Sequence, residues 1–226
     1  ICENNKLAII DIRNPASPNL INTMTFGDYK YLQAVATAGN YAYIGGRTLG
    51  DINNLLIIDI TQAKVVKTLG SQKLIRDIAI SGTYAYTVGE DTFKVLSIAN
   101  PLSASFIGTL TLTGTLVSVD AKDSYAYVGI VNTIQIINVT VPQSPVKGGT
   151  GSLPISSSAT SITASGNKLF ASCFSYLSAE NGFKFFDIST PSILTDLAFL
   201  SDGGRRTQAL SVDGRYVYLA NDAELT

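Results

Sequence analysis

The side chains able to do chemistry in this sequence are few, and their types exclude more than they permit. There is no histidine among the 226 residues. That removes Ser-His-Asp triads, Cys-His dyads, histidine-ligated zinc and histidine-held haem. The two cysteines, Cys2 and Cys173, form no Cys-x-x-Cys motif; they are candidates for a single disulfide. What remains is carboxylates. Two or three of them facing across a pocket, ~5–9.5 Å apart, would suit glycoside hydrolysis. Asp77, Glu90, Asp91 and Asp222 are the acidic residues available for such a set. Asp11, Asp59 and Asp187 also invite a metal or catalytic reading, but the equivalent positions elsewhere carry Ser97 and Asn138. All five share an acceptor oxygen rather than a charge, which fits side chains that cap backbone N–H groups of a following turn. No metal set and no cofactor are expected.

Composition narrows the partners. Sixteen basic residues against seventeen acidic ones give a net charge of -1, and charged residues make up only 15% of the chain. The longest basic run is Arg205-Arg206, so there is no footprint for nucleic acid or anionic lipid. No apolar stretch approaches the ~20 residues of a membrane-spanning helix. The chain begins with Ile1 and shows no charged-then-apolar leader. We therefore expect a chain that is processed, excised from a longer protein, or incompletely known at its ends, and a removed signal peptide would suit its low charge and many hydroxyls.

The elements that must position these residues repeat. Ala-Gly-Asn-Tyr-Ala-Tyr-Ile at 38–44 returns as Ser-Gly-Thr-Tyr-Ala-Tyr-Thr at 81–87 and Lys-Asp-Ser-Tyr-Ala-Tyr-Val at 122–128. It degrades to Ser-Gly-Asn-Lys-Leu-Phe-Ala at 165–171 and recovers as Asp-Gly-Arg-Tyr-Val-Tyr-Leu at 213–219. The second aromatics, Tyr43, Tyr86, Tyr127, Phe170 and Tyr218, are spaced by 43, 41, 43 and 48 residues. A second element keeps its own register: Leu-Ala-Ile-Ile-Asp-Ile from Leu7, Leu-Leu-Ile-Ile-Asp-Ile from Leu55, then copies from Phe93, Ile134 and Phe183. Pro15, Pro101, Pro142 and Pro191 follow four of these copies.

Each unit divides into four short runs rich in Val, Ile, Tyr and Phe and separated by Gly, Asn, Pro or Ser. In one unit they cover 77–80, 84–88, 93–98 and 106–110. Runs apolar at nearly every position, such as Leu55 to Ile60, indicate burial on both faces. Four antiparallel strands at this period make the blade of a β-propeller. The expected fold is all-β: a single domain over residues 1–226, a five-bladed propeller of four-stranded antiparallel blades. The blades fall near 32–75, 76–116, 117–159, 160–207, and 208–226 joined with 1–31. In the last, the N- and C-terminal strands share one blade and close the ring, residues 7–12 pairing with 215–220.

Residues 55–60, the Asn-Pro-Ala-Ser-Pro of 14–18 and the three Tyr-Ala-Tyr copies closely resemble the LVIVD repeat of bacterial and archaeal surface or secreted proteins. The resemblance covers the whole chain. It implies a propeller and an extracellular or cell-surface setting, and it supplies no catalytic residues. The copy at 165–171 departs from the pattern and is followed by a longer loop.

Function in such a fold is expected where loops converge at one rim. The rim and channel candidates are Arg47, Asp51, Arg76, Asp77, Glu90, Asp91, Tyr176, Glu180, Arg205, Arg206 and Asp222. The leading expectation is a non-enzymatic binding module with a protein or glycan partner. One alternative is a glycosidase-like enzyme, disfavoured by the absence of Trp and of a long loop. Another is a self-assembling subunit of an extracellular filament or surface layer. The Tyr-x-Tyr pairs are expected to pack blade on blade rather than to stack sugars.

Overall fold

The computed structural model describes every residue except Ile1, Gln72, Ile155, 176–180, 202–206 and 222–226. The described chain is built of antiparallel strands with one short 3-10 turn, Pro101–Ser103. Three sheets form in sequence as β4 (Tyr29–Ala38) to β7 (Lys64–Gly70), β11 (Ser118–Lys122) to β14 (Val146–Ser152), and β15 (Ser158–Ser165) to β18 (Thr195–Ser201). Between the first two lies a sheet of β8 (Asp77–Ser81), β9 (Tyr84–Ser97) and β10 (Ser105–Leu116). Here the second and third strands expected from sequence run as one element. The reversal at Gly89–Asp91 is tight, with Glu90 at a φ of 52°. Gly89 is obligatory there, because a Cβ on it would stand 1.5 Å from the Leu74 carbonyl oxygen.

Neighbouring sheets meet through the residues that the repeat holds fixed. Tyr43, Tyr86 and Tyr127 are at most 2% exposed, and each sits in a cluster with apolar side chains of the next blade: Tyr43 with Ile75 and Ile78, Tyr86 with Val119 and Val128, Tyr127 with Ile162 and Leu169. Burying each such ring contributes ~1.5–3 kcal/mol. The central strands β6 (Asn53–Asp59) and β13 (Thr133–Asn138) are apolar on both faces because each is sandwiched between two sheets.

The two ends form partial sheets. β1 (Cys2–Glu3), β2 (Lys6–Asp11) and β3 (Asn19–Thr25) make one, and β19 (Thr207–Asp213) with β20 (Tyr216–Asn221) makes the other. The first packs Leu7 and Met24 on Leu32, Ile44 and Ile58 of the first full blade. The expected ladder between 7–12 and 215–220 is not formed, and no sheet joins the two ends among the described residues. At the start of the same edge of β2, β1 pairs Cys2 with Leu7 and Glu3 with Lys6. The structure therefore holds four successive blades' worth of stacked sheet with a partial sheet at either end.

The expected disulfide is absent as well. Cys173, 1% exposed, is part of the core between the third and fourth full sheets, whereas half-buried Cys2 packs at the far end beside Leu7 and Leu32.

Candidate functional site

In the turn after the third strand, four of the five expected cap residues accept a local backbone hydrogen bond. The Oδ1 atoms of Asp11, Asp59, Asn138 and Asp187 accept from the backbone N–H two residues on, at 2.7–2.9 Å. Asp59 also accepts from the Thr61 hydroxyl at 2.6 Å and from Gln62 N at 3.1 Å. The Thr61 hydroxyl, first of these, holds the Asp59 carboxyl below its ordinary range. In the second blade Ser97 is not the cap; Asn100 takes the role and accepts from Leu102 N at 3.1 Å.

On the rim, two ion-pair groups lie on adjacent blades. Asp51, at the tip of the loop between β5 (Tyr41–Thr48) and β6, accepts from Lys30 Nζ at 2.6 Å and Arg47 Nε at 3.1 Å. Lys30 is the main cause of its lowered carboxyl pKa. At the β9 reversal, Lys73 Nζ stands 3.0 Å from Glu90 Oε2 and 3.7 Å from Asp91 Oδ1. All these side chains are substantially exposed. Lys94 lies beneath them, donating to the Ser71 carbonyl at 2.7 Å and lying 4.9 Å from the centre of the Phe106 ring.

The first strands of successive blades carry a different polar group. Asp77 Oδ2 accepts from Val119 N at 2.8 Å, and Oδ1 from Ile78 N at 2.9 Å. Asp120 Oδ2 accepts from Ala164 N at 2.7 Å. Ser118 Oγ donates to the Ala159 carbonyl at 2.6 Å, and Thr160 Oγ1 to the Thr207 carbonyl at 2.8 Å. These bonds stitch β8 to β11, β11 to β15 and β15 to β19. Desolvation pushes the Asp77 carboxyl up to about 6 against the pull of its two N–H donors, with the Asp120 charge adding to the rise. Burial raises Asp120 too. Arg76, beside Asp77 in the chain, is half-buried, and its Nε has no hydrogen-bond partner among the described residues.

The structure thus separates the carboxylates that the sequence reading grouped. Glu90 and Asp91 sit on the exposed rim beside Lys73, and Asp77 is held by Val119 in the stack of first strands. Tyr176, Glu180, Arg205, Arg206 and Asp222 lie outside the described residues. No group of three or more acidic or cysteine side chains able to hold a metal occurs among the described residues. Asp120 was missed by the sequence reading. Its signal was available, since the aligned positions are Ala36, Ala79, Thr163 and Ser211.

Similar proteins can now be set beside this geometry. No curated protein sequence matches the chain. Similar solved structures include hydrazine synthase of Kuenenia stuttgartiensis, at a TM-score of 0.67 and 15% identity over 84% of this chain and 55% of that one. A chain of the mitotic checkpoint complex aligns at 0.77 and 15% identity, over 96% and 65%. BamB from Moraxella catarrhalis aligns at 0.62 and 14% identity, over 88% and 60%. These neighbours are β-propeller proteins. At such identities the likeness concerns the fold alone, and this chain spans between 55% and 65% of their lengths. The LVIVD repeat model matches residues 1–25, 30–63, 75–111 and 204–226, which hold both repeating elements in three blades' worth of chain. With more than half of its residues matched, this propeller-like chain belongs to the LVIVD repeat family.

Proposed function

We propose that the chain is a non-enzymatic binding module, working outside the cell or at its surface, that recognises a protein partner through the rim of loops. The observation that carries this reading is the pair of exposed ion-pair groups, Lys30–Asp51–Arg47 and Lys73–Glu90–Asp91, on adjacent blades of one rim. Their charges satisfy one another in solvent rather than converge on a cleft. Such exposed pairs add little stability, ~0–1 kcal/mol each, but they offer a partner a fixed pattern of alternating charge. The extracellular setting is drawn from the surface and secreted proteins whose repeat this sequence resembles and from the low charged fraction of 15%. Affinity capture from a cell-surface protein fraction, with a rim variant carrying Arg47→Ala, Asp51→Ala, Lys73→Ala and Glu90→Ala as control, tests the reading. A specific partner should be retained by the native chain and lost by the variant. Equal capture by both would end it, and aryl-glycoside turnover sensitive to Glu90→Gln would replace it with the enzyme reading.

The open ends favour a second reading, a self-assembling structural subunit. Tyr216, Tyr218 and Leu219 of β20 are 64%, 56% and 39% exposed, and Leu20 and Ile21 of β3 are 57% and 62% exposed. By the register of the complete blades, in which Tyr43 faces Ile57, Tyr218 would face Ile9 if β20 met β2. Between copies this pairing builds a chain of propellers; within one copy it completes a fifth blade. Concentration-dependent sedimentation that Tyr216→Lys abolishes supports assembly between copies, because a charge on a strand edge blocks pairing. A monomer at every concentration rules it out.

A further inference from the structure

The turn between the first and second strands carries a left-handed residue in every repeat. It is Gly39, Gly82, Gly166 and Gly214, with φ of 54–59°, and in the third full sheet Asp123, with φ of 55°. This conformation strains any residue with a Cβ, though Asp tolerates it better than most. A Cβ added to any of the four glycines would meet nothing within 4 Å. Packing therefore does not call for a side chain at this turn, yet one blade keeps an exposed carboxylate there against the local backbone preference.

Asp123 stands at the mouth of a cleft of about 490 Å³ between the second and third blades, on the face opposite the rim. The cleft is lined by Tyr84, Tyr86, Ser81, Thr140 and Pro142 as well as Asp123. Tyr86 is 2% exposed and its hydroxyl makes no hydrogen bond to the described residues. At the next junction the equivalent Tyr127 hydroxyl donates to the Pro191 carbonyl at 3.2 Å. Pro142 is the counterpart of Pro191 in the repeat, but at this junction the space between tyrosine and proline stays open. Burial pushes the Tyr86 phenol up to about 12, so it is a hydrogen-bond donor at neutral pH.

We infer that this cleft is a binding site for a neutral saccharide unit. Its lining excludes an anion, since no lysine or arginine contributes. Its volume lies within the range of small-ligand sites. Ser81 and Thr140 each donate or accept as required, which suits ligand hydroxyls that also do both. The half-buried Tyr84 ring offers an apolar surface for the C–H face of a pyranose. The Tyr86 hydroxyl donates to a ring or hydroxyl oxygen, and the Asp123 carboxylate accepts from ligand O–H groups. The site is independent of the rim, so the two readings stand or fall separately.

An immobilised panel of glucose, galactose, mannose, N-acetylglucosamine and their β-linked dimers provides the probe. At least one should be bound. Tyr86→Phe, which keeps the ring and its packing, and Asp123→Gly should each weaken that binding by about tenfold or more. Asp123→Gly should meanwhile leave the thermal midpoint unchanged or raise it, because it restores the glycine that the other blades use at this turn. The four-residue rim variant should retain full saccharide binding. Failure of every saccharide to bind, or binding indifferent to both cleft substitutions, overturns the inference. So does displacement of the saccharide by tetramethylammonium, which would make the tyrosines and Asp123 a cation site.

Discussion

The junctions in the middle of the molecule and the partial sheets at its ends are built from the same sequence elements, yet they bury them very differently. Tyr43, Tyr86 and Tyr127 are at most 2% exposed, while Tyr218, at the same place in the repeat, is 56% exposed. The apolar third-strand run is fully buried in β6, where Leu55 and Ile57 are both 0% exposed. In β2 the equivalent run leaves Ile10 at 36%. A repeat of this kind cannot bury its faces alone. Its stability comes from the neighbour on each side, and where a neighbour is incomplete the same residues become exposed surface.

Close approach between sheets offers the severest way to break that contrast. Gly89→Ala would drive a Cβ to 1.5 Å from the Leu74 carbonyl oxygen, and it should cost more than about 3 kcal/mol. Gly214→Ala, in the open turn before β20, meets no atom within 4 Å and should cost only about 1 kcal/mol for its left-handed φ. Urea unfolding of the two variants reads the difference directly, and equal losses would mean that the end sheet is as closely packed as the middle.

A comparable effect is expected from the aromatic at the junctions. Tyr127→Ala empties a site that is 0% exposed and should lose about 3–5 kcal/mol. Tyr218→Ala, measured at concentrations where the chain is monomeric, should lose less than about 0.5 kcal/mol. Were the Tyr218 loss to match that of Tyr127, β20 would be covered in solution and the ring would be closed.

The gentlest prediction concerns the stitching of first strands, which runs from β8 through β11 and β15 to β19. Asp77 is raised from 3.8 to about 6 in the folded chain. Between those values the native state takes up a proton that the unfolded state does not, so stability rises as pH falls from about 6 toward 4. Asp51, Asp59, Asp91 and Asp187 are shifted the other way, chiefly by Lys30, Thr61, Thr92 and Ser189 respectively. Their contributions are present above 3.8 and are lost below it. Thermal midpoints should therefore climb from pH 7 to about pH 5 and fall below about pH 4. Asp77→Asn should reduce the climb, with Asp120, raised by burial, supplying what remains, and leave the acid fall. A native curve with no rise would show that Asp77 is better solvated than its position implies.

Several features were legible in the sequence because they are local. The alternation of Gly, Tyr-x-Tyr and apolar Asp-Ile runs specifies strands, turns and a four-stranded period, since turn chemistry and side-chain periodicity depend on residues close in the chain. The shared acceptor oxygen at Asp59 and Asn138 announced a turn cap because it bonds only two residues away. Long-range arrangement was not legible. The sequence set Asp77 among Glu90, Asp91 and Asp222, while folding aimed its carboxylate at Val119, a backbone group 42 residues on. Cys2 and Cys173 occupy equivalent places in the repeat but opposite ends of the stack. Whether the two partial sheets meet was likewise beyond pattern, because a sequence period shows that two half-blades are complementary and not that their edges pair. The cleft beside Tyr86 was beyond pattern too. Two junctions share the tyrosine and the proline, yet the Tyr127 hydroxyl reaches the Pro191 carbonyl while a cleft lies between Tyr86 and Pro142. Such a contact joins residues of two different blades, so it belongs to the assembled sheets and to no single repeat.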